Sequence, residues 1–352
     1  MSETAPRLRA RKLDMKTGRV DLSHGSGGRA SSQLVADLFR DAFANEFLDQ
    51  GNDQATFPVP TGGRMVMTTD GHVVTPLFFP GGDIGSLAVH GTVNDVVVGG
   101  AKPLHLSASF IIEEGFPLAD LKRIADSMGR AAREAGVTIV TGDTKVVERG
   151  KADGVFISTA AIGVCWEGVE VSGDRARPGD KVILSGSIGD HGVAIMSSRE
   201  NLEFETAILS DSAALHGLVE AMIGAGAPHL KLMRDPTRGG LAATLNEVAH
   251  QSKVGIRIEE DAVPVKPEVQ AACEFLGLDP LNVANEGKLV AVVAAEGAEA
   301  ILAAMRAHPL GREAAIIGEV IEDDQYFVQM TTSFGGGRIV DWLSGEQLPR
   351  IC

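Results

Sequence analysis

Apolar positions along the chain fall into helix-like and strand-like blocks that alternate. Between Val20 and Phe47, the residues Leu34, Val35, Leu38, Phe39 and Phe43 recur at helical spacing and predict the first ordered element. Met65-Val66-Met67-Thr68-Thr69 reads as a strand ending at Asp70-Gly71. Pro80-Gly81-Gly82-Asp83 then opens a helix through Ile84, Leu87, Ala88 and Val97, with Asp83 suited to its N-cap. A strand is expected over 104–112, a helix over 118–135, a short buried strand over 137–140 and a further strand over 155–164. Around 172–180 the composition turns to Gly, Pro, Asp and Arg, which marks a domain boundary. Beyond it, strands are expected over 181–184, 254–258, 288–294, 314–320, 326–330 and 338–343. Helices are expected from about Val193 and over 211–223, 241–250 and 301–308. The alternation predicts an α/β layered architecture, and 352 residues suit two cores better than one. The divisions expected are a disordered lead at 1–19, an N-terminal domain at 20–170, a C-terminal domain at 171–343 and a mobile tail at 344–352.

Composition narrows the class. A hydrophobic share of 44% with 22% charged residues is that of a soluble globular protein. No apolar run approaches the roughly 18 residues of a membrane span. Arg7, Arg9, Arg11 and Lys12 have no apolar region behind them, so a secretory signal is not expected. The net charge of -15 speaks against nucleic acid as a partner. Three cysteines make no disulfide framework and fit a reducing cytoplasm. Cys165 and Cys273 lie in or beside apolar runs and read as core, whereas Cys352 is the last residue. A terminal thiol is either a frayed end or a group meant to be reached, and which one depends on the chemistry elsewhere in the chain.

The acids supply that chemistry. Asp70, Asp95, Asp143 and Asp235 stand beside strand or helix ends, or interrupt an apolar helix. Asn94-Asp95 is costly among Val93, Val96, Val97 and Val98 unless partnered. Asp235-Pro236 is also ordinary helix-start chemistry. Together with Asp83, these carboxylates are what a magnesium–triphosphate site needs, because magnesium takes hard oxygen ligands shared with phosphates. Lys145, Arg238 and the amides of His24-Gly25-Ser26-Gly27-Gly28-Arg29 offer the balancing positive field. That Gly-rich turn lacks the Gly-Lys-Ser/Thr of a P-loop.

The segments Pro80-Gly81-Gly82-Asp83-Ile84-Gly85, Gly91-Thr92-Val93-Asn94-Asp95, Thr141-Gly142-Asp143-Thr144-Lys145-Val146-Val147, Arg234-Asp235-Pro236-Thr237-Arg238-Gly239-Gly240, Asn285-Glu286-Gly287-Lys288 and the terminal Pro349-Arg350-Ile351-Cys352 follow the first Gly-rich turn in order. In this the chain resembles the HypE family, the carbamoyl dehydratases of nickel–iron hydrogenase maturation. That family lies within the ATP-binding superfamily of aminoimidazole ribonucleotide (AIR) synthetase, selenophosphate synthetase and thiamine-monophosphate kinase. The resemblance runs from about Val20 to Cys352. It implies a PurM-like fold, with an N-terminal domain that forms a dimeric β-barrel, a C-terminal α/β sandwich, and ATP with Mg2+ between the domains. It implies a carbamoyl group placed on Cys352 by a HypF-like carbamoyltransferase, its dehydration to a thiocyanate, and cyanide delivery to iron on a HypC–HypD complex. The residues expected at the nucleotide are Gly27, Gly28, Asp83, Asn94, Thr144, Lys145 and Arg238, and those at the metal are Asp70, Asp95, Asp143 and Asp235. Glu286 is the candidate base, with Lys145 as its partner or as a phosphate contact. Two other readings are a selenophosphate-synthetase-like phosphotransferase and a non-catalytic nucleotide-binding carrier. The first expects a reactive residue near the N-terminus, yet no cysteine precedes Cys165. The second is separated by phosphate release that depends on carbamoylation.

Overall fold

The computed structural model describes residues 13–26, 28–49, 54–58, 62–200, 202, 207–342 and 351–352. Chain order begins with α1 (Arg29–Leu34), a π-helical turn at Val35–Phe39, α2 (Arg40–Phe43) and α3 (Glu46–Asp49). Then come β1 (Met65–His72), the short pair β2 (Phe78–Phe79) and β3 (Gly82–Asp83), α4 (Ile84–Val98), β4 (Ala101–Glu113), α5 (Leu118–Glu134), β5 (Thr138–Val147) and β6 (Val155–Cys165). The long strands form one sheet in the order β1-β6-β4-β5. Along β1 the residues alternate in burial. Val66, Thr68, Asp70 and His72 are the more covered set, and Thr68 reaches Asp95 on α4. Met65 and Met67 lie exposed on the face that the helices leave open.

β5 is longer than the sequence pattern predicts. Asp143 and Lys145 lie within the strand rather than beyond its end, because the parallel partner β4 pairs with it as far as Val147. Gly142, which reads as a turn residue, is there for close approach: a Cβ would meet the Ala108 carbonyl oxygen at 2.2 Å. Residues 13–19, expected in a disordered lead, are in place, with Arg19 bridging to Pro117 and donating to the Gly115 carbonyl at 2.6 Å.

The second half contains β7 (Lys181–Leu184), α6 (Asp190–Arg199), α7 (His216–Gly226), β8 (Leu230–Arg234), α8 (Gly240–Ser252), β9 (Gly255–Glu259), α9 (Pro267–Leu276), β10 (Val290–Val293), α10 (Ala295–Ala307), β11 (Ala315–Ile321), β12 (Val328–Thr331) and β13 (Gly337–Ile339). Its sheet order is β13-β12-β9-β11-β7-β10-β8. β8 and α9 are absent from the pattern reading. α7 starts later than expected because Asp211 pairs with the partly buried Lys288 instead of opening the helix.

Alternation along β7 and β10 sends side chains to two cores. Ile183, Ala291 and Val293 join an apolar cluster that continues into the first half through Val93 and Val97 and also takes in Ile351 near the chain end. Val182, Leu184, Val290 and Val292 pack on the other side against Leu241, Leu245 and Val248 of α8. The two halves therefore share one apolar core at their junction, which fixes their relative placement.

Candidate active site at the domain junction

Asn94 pins the junction. Its Nδ2 donates to the carbonyls of Ala213 and Glu286 at 3.0 and 3.1 Å, and its Oδ1 accepts the Leu215 amide at 2.8 Å. A buried polar residue in an apolar helix is satisfied here by backbone from the other half of the chain. The Asn94 side chain thus ties the two halves together through backbone. Asp83 is an N-cap, accepting the amides of Gly85 and Ser86 at 2.8 and 3.1 Å.

Around this clamp four carboxylates converge. Asp70 comes from the end of β1, Asp95 from α4, Asp235 from the loop after β8, and Glu286 from the segment entering β10. Gly91 marks the meeting point: a Cβ there would lie 3.2 Å from Asp70 Oδ2, 3.2 Å from His72 Cε1 and 3.8 Å from Glu286 Oε2. Asp95 has a partner, the Thr68 hydroxyl at 2.8 Å. Glu286 is buried, and its Oε1 has no hydrogen-bond partner. Its backbone is fixed by the Asp211 carboxylate, which accepts the Glu286 amide at 3.1 Å and Lys288 Nζ at 3.1 Å. Asn285 fixes it from the other side, donating to the Pro236 carbonyl at 3.1 Å and accepting the Gly189 amide at 2.8 Å.

The electrostatics follow from crowding like charges out of water. Burial, then Asp235, pushes Glu286 well above the carboxylate range. Burial, then Asp95, pushes Asp235 up to about 7. Burial also raises Asp95, against the Thr68 hydrogen bond. Asp211 differs: burial would raise it, but Lys288 and His191 hold it below its ordinary value. Sequence reasoning missed His72. It is buried, 3.6 Å from Asp70 Oδ2 and 3.3 Å from the Thr159 hydroxyl, and burial holds its imidazole below the usual range. The signal was available, because residues 70 and 72 share a face of a strand.

The chain end lies in this site. The Val73 amide donates to the Cys352 carbonyl at 2.9 Å, and Ile351, itself buried, bridges to Val74 in antiparallel register. Burial, then Glu286, pushes the Cys352 thiol up to about 12, with Arg238 opposing.

Asp143, Thr144 and Lys145 are elsewhere. β5 is the opposite edge of the sheet from β1, three strand spacings or about 14 Å from it. Within this chain Lys145 Nζ pairs with Asp143 Oδ2 at 2.5 Å. Both line a cavity of about 650 Å³ with His24, Gly25, Phe39 and Phe110. Gly25 is required there, since a Cβ would meet the Val146 amide nitrogen at 2.5 Å. Gly28 is in the left-handed region at φ 87°, at the start of α1, while Gly27 lies outside the described residues. Within this chain the expected acid set therefore divides into Asp70, Asp95 and Asp235, joined by Glu286, and Asp143 by itself.

Family models match both halves of the chain. The AIR synthase related protein N-terminal domain matches residues 51–165, and the AIR synthase related protein C-terminal domain matches residues 177–331. The chain is thus an AIR-synthase-related protein with a PurM-like fold. Carbamoyl dehydratase HypE of Rhizobium leguminosarum bv. viciae is 75% identical over 342 residues, covering 97% of this chain and 97% of that protein. The crystal structure of hydrogenase maturation protein HypE in complex with ATP matches with a TM-score of 0.91 at 51% identity, over 94% of this chain and 99% of that one. A crystal structure of a HypE–HypF complex matches with a TM-score of 0.77 at 53% identity, over 88% and 99%. The chain belongs to the HypE family of carbamoyl dehydratases.

Proposed function

We propose that this protein dehydrates an S-carbamoyl group carried on Cys352 to a thiocyanate at the expense of ATP, supplying the cyanide ligand of a nickel–iron hydrogenase. The observation that carries the reading is the chain's own terminal thiol seated beside Glu286 and the aspartate cluster. In the reaction, the carbamoyl oxygen attacks the γ-phosphoryl group of ATP as one N–H proton is lost, giving an O-phosphorylated imidate and ADP. Loss of the second N–H proton then expels phosphate and leaves S–C≡N on Cys352. Glu286 is the proposed base. In the ligand-free site burial and Asp235 favour its protonated form, and cationic charge entering the site would favour the carboxylate that a base requires. The all-oxygen donor set of Asp70, Asp95 and Asp235 suits magnesium, and the unpartnered Glu286 oxygen supports a further ligand in the site. Among the described residues no three acids form a ready cage, so phosphate oxygens would complete the shell. Bound magnesium would neutralise the charge that develops during phosphoryl transfer.

A homodimer belongs to this reading. Met65, Met67 and Ile111 are exposed apolar residues on the sheet, a surface that a second copy's sheet would cover on closing a barrel. A second copy is also the route by which Asp143, Thr144 and Lys145 at the β5 edge would meet an acid cluster. The HypE–HypF complex supports a HypF-like carbamoyltransferase as the donor, and a HypC–HypD complex is the proposed acceptor. No helix among the described residues is long and apolar enough to cross a membrane. The setting that belongs to this reading is the cytoplasm, where a carrier thiol stays reduced. The test is the intact mass of the carbamoylated chain with and without ATP. Loss of one water that requires both ATP and Cys352 is expected, and an adduct mass unchanged by ATP refutes the reading.

A further inference from the structure

We infer that His191 is a positioning residue that latches the chain end in the site by gripping the carbonyl of Ile351. The inference rests on Cys352 being the substrate carrier. His191 is fully buried in the first turn of α6, and its Nε2 lies 2.6 Å from the Ile351 oxygen. A carbonyl only accepts, so Nε2 carries the proton. Nδ1 must then accept, and the Ser210 hydroxyl stands 2.8 Å from it. The Ser210 oxygen in turn accepts the Ser212 amide at 3.1 Å. The result is a one-way row of donors ending on the chain terminus, with the Phe79 ring packed edge-on against the imidazole at 5.7 Å. Burial holds His191 below the usual imidazole range, against Asp211, which favours the single-proton form this row requires.

The same frame holds the candidate base. Ser210 orients His191, and its neighbour Asp211 holds the Glu286 amide. Gly189, two residues before His191, donates to Asn285, one residue before Glu286. Asp190 is locked by Lys266 and Ser187, each at 2.7 Å. Two short links therefore fix latch and base relative to one another. On its other side the chain end rests on Val73 and Val74, immediately after His72. The thiol is thus set from both domains at once. Carbamoylation by a second protein needs Cys352 outside this pocket, so the latch governs the balance between the two positions.

The test uses the full chain with three substitutions. His191→Phe keeps a ring without a donor, His191→Gln keeps an amide donor near the Nε2 position, and Ser210→Ala frees the imidazole tautomer. The first reading is the rate of Cys352 alkylation by iodoacetamide, mapped by peptide mass, which needs neither ATP nor a carbamoyl group. Loss of a buried hydrogen bond is expected to speed alkylation about tenfold in His191→Phe and several-fold in Ser210→Ala. The second reading is single-turnover conversion of the carbamoylated chain. It is expected to slow about tenfold in His191→Phe with ATP affinity unchanged, and to recover in His191→Gln. Parental alkylation rates in folded His191→Phe and Ser210→Ala would overturn the latch. Faster alkylation with an unchanged turnover rate would overturn the positioning role. If the parent itself forms no thiocyanate, the proposed function fails, while the alkylation arm still decides the latch.

Discussion

Asp143 and Asp235 look alike in sequence, each an acid beside a strand end and followed by a cation two or three residues on, yet they end in opposite electrostatic states. Asp143 is largely exposed, and Lys145 holds its carboxyl below the ordinary value. Asp235 is pushed up to about 7 by burial and by Asp95, and Arg238 does not pair with it. The first acid has its counter-charge within the strand. The second belongs to a set of carboxylates whose counter-charge must arrive with a ligand. A carboxylate cluster that is unfavourable when empty is a binding site for cations, and a neutralised pair on a strand edge is a surface feature until something approaches it.

The largest test of that contrast is catalytic. Glu286→Gln is expected to bind ATP and accept a carbamoyl group but to form thiocyanate 10²–10⁴-fold more slowly, roughly the range for a lost general base. Asp235→Asn should cost about 10²-fold or more in magnesium-dependent turnover, whereas Asp143→Asn should cost about tenfold because Lys145 remains. Equal losses in the two Asn variants, in single-turnover mass spectrometry, would dissolve the distinction between the sites.

A smaller effect is expected in stability. The folded chain holds the Asp235 proton up to about pH 7, whereas an unfolded aspartate releases it near 3.8. Between those values the folded state binds more protons than the unfolded one, so this group's contribution falls as pH rises through the window. Asp235→Asn should therefore stabilise the ligand-free protein at pH 8 by roughly 1–3 kcal/mol and do little at pH 4. Urea unfolding of parent and variant at both pH values measures the difference, and a gain larger at pH 4 contradicts the assignment. The smallest effect belongs to Lys145→Ala. Breaking an exposed ion pair should change stability by less than about 1 kcal/mol at either pH, while the Asp143 carboxyl, followed by NMR titration, returns toward its ordinary range.

The layered α/β plan was readable because α5 follows a strong periodicity, with Leu118, Leu121, Ile124, Ala125 and Met128 marking one face without ambiguity, while α4 is apolar on nearly every side. The end of β5 was not readable, since Thr141-Gly142-Asp143 has turn chemistry and only the parallel partner β4 reveals it as strand. β8 is five residues long, with half-buried Lys231 between Leu230 and Leu232, too short for alternation to stand out. In the site, the residue types were legible but their convergence was not. Asn94 looked functional because it was polar in an apolar helix, and its partners lie more than a hundred residues away. Nothing local distinguishes an Asn that grips distant backbone from one that grips a ligand. His191 escaped for the same reason, its partner being 160 residues further along the chain.

The seating of Ile351 and Cys352 has a consequence for kinetic order. A substrate attached to the chain that transforms it has no concentration to vary, and diluting the protein cannot empty the site. Dehydration on this chain is then a first-order event at saturating ATP, with the same half-time at every protein concentration that keeps the dimer intact. Any dependence on protein concentration measured for the whole pathway with the dimer intact reports loading and unloading by the partner proteins.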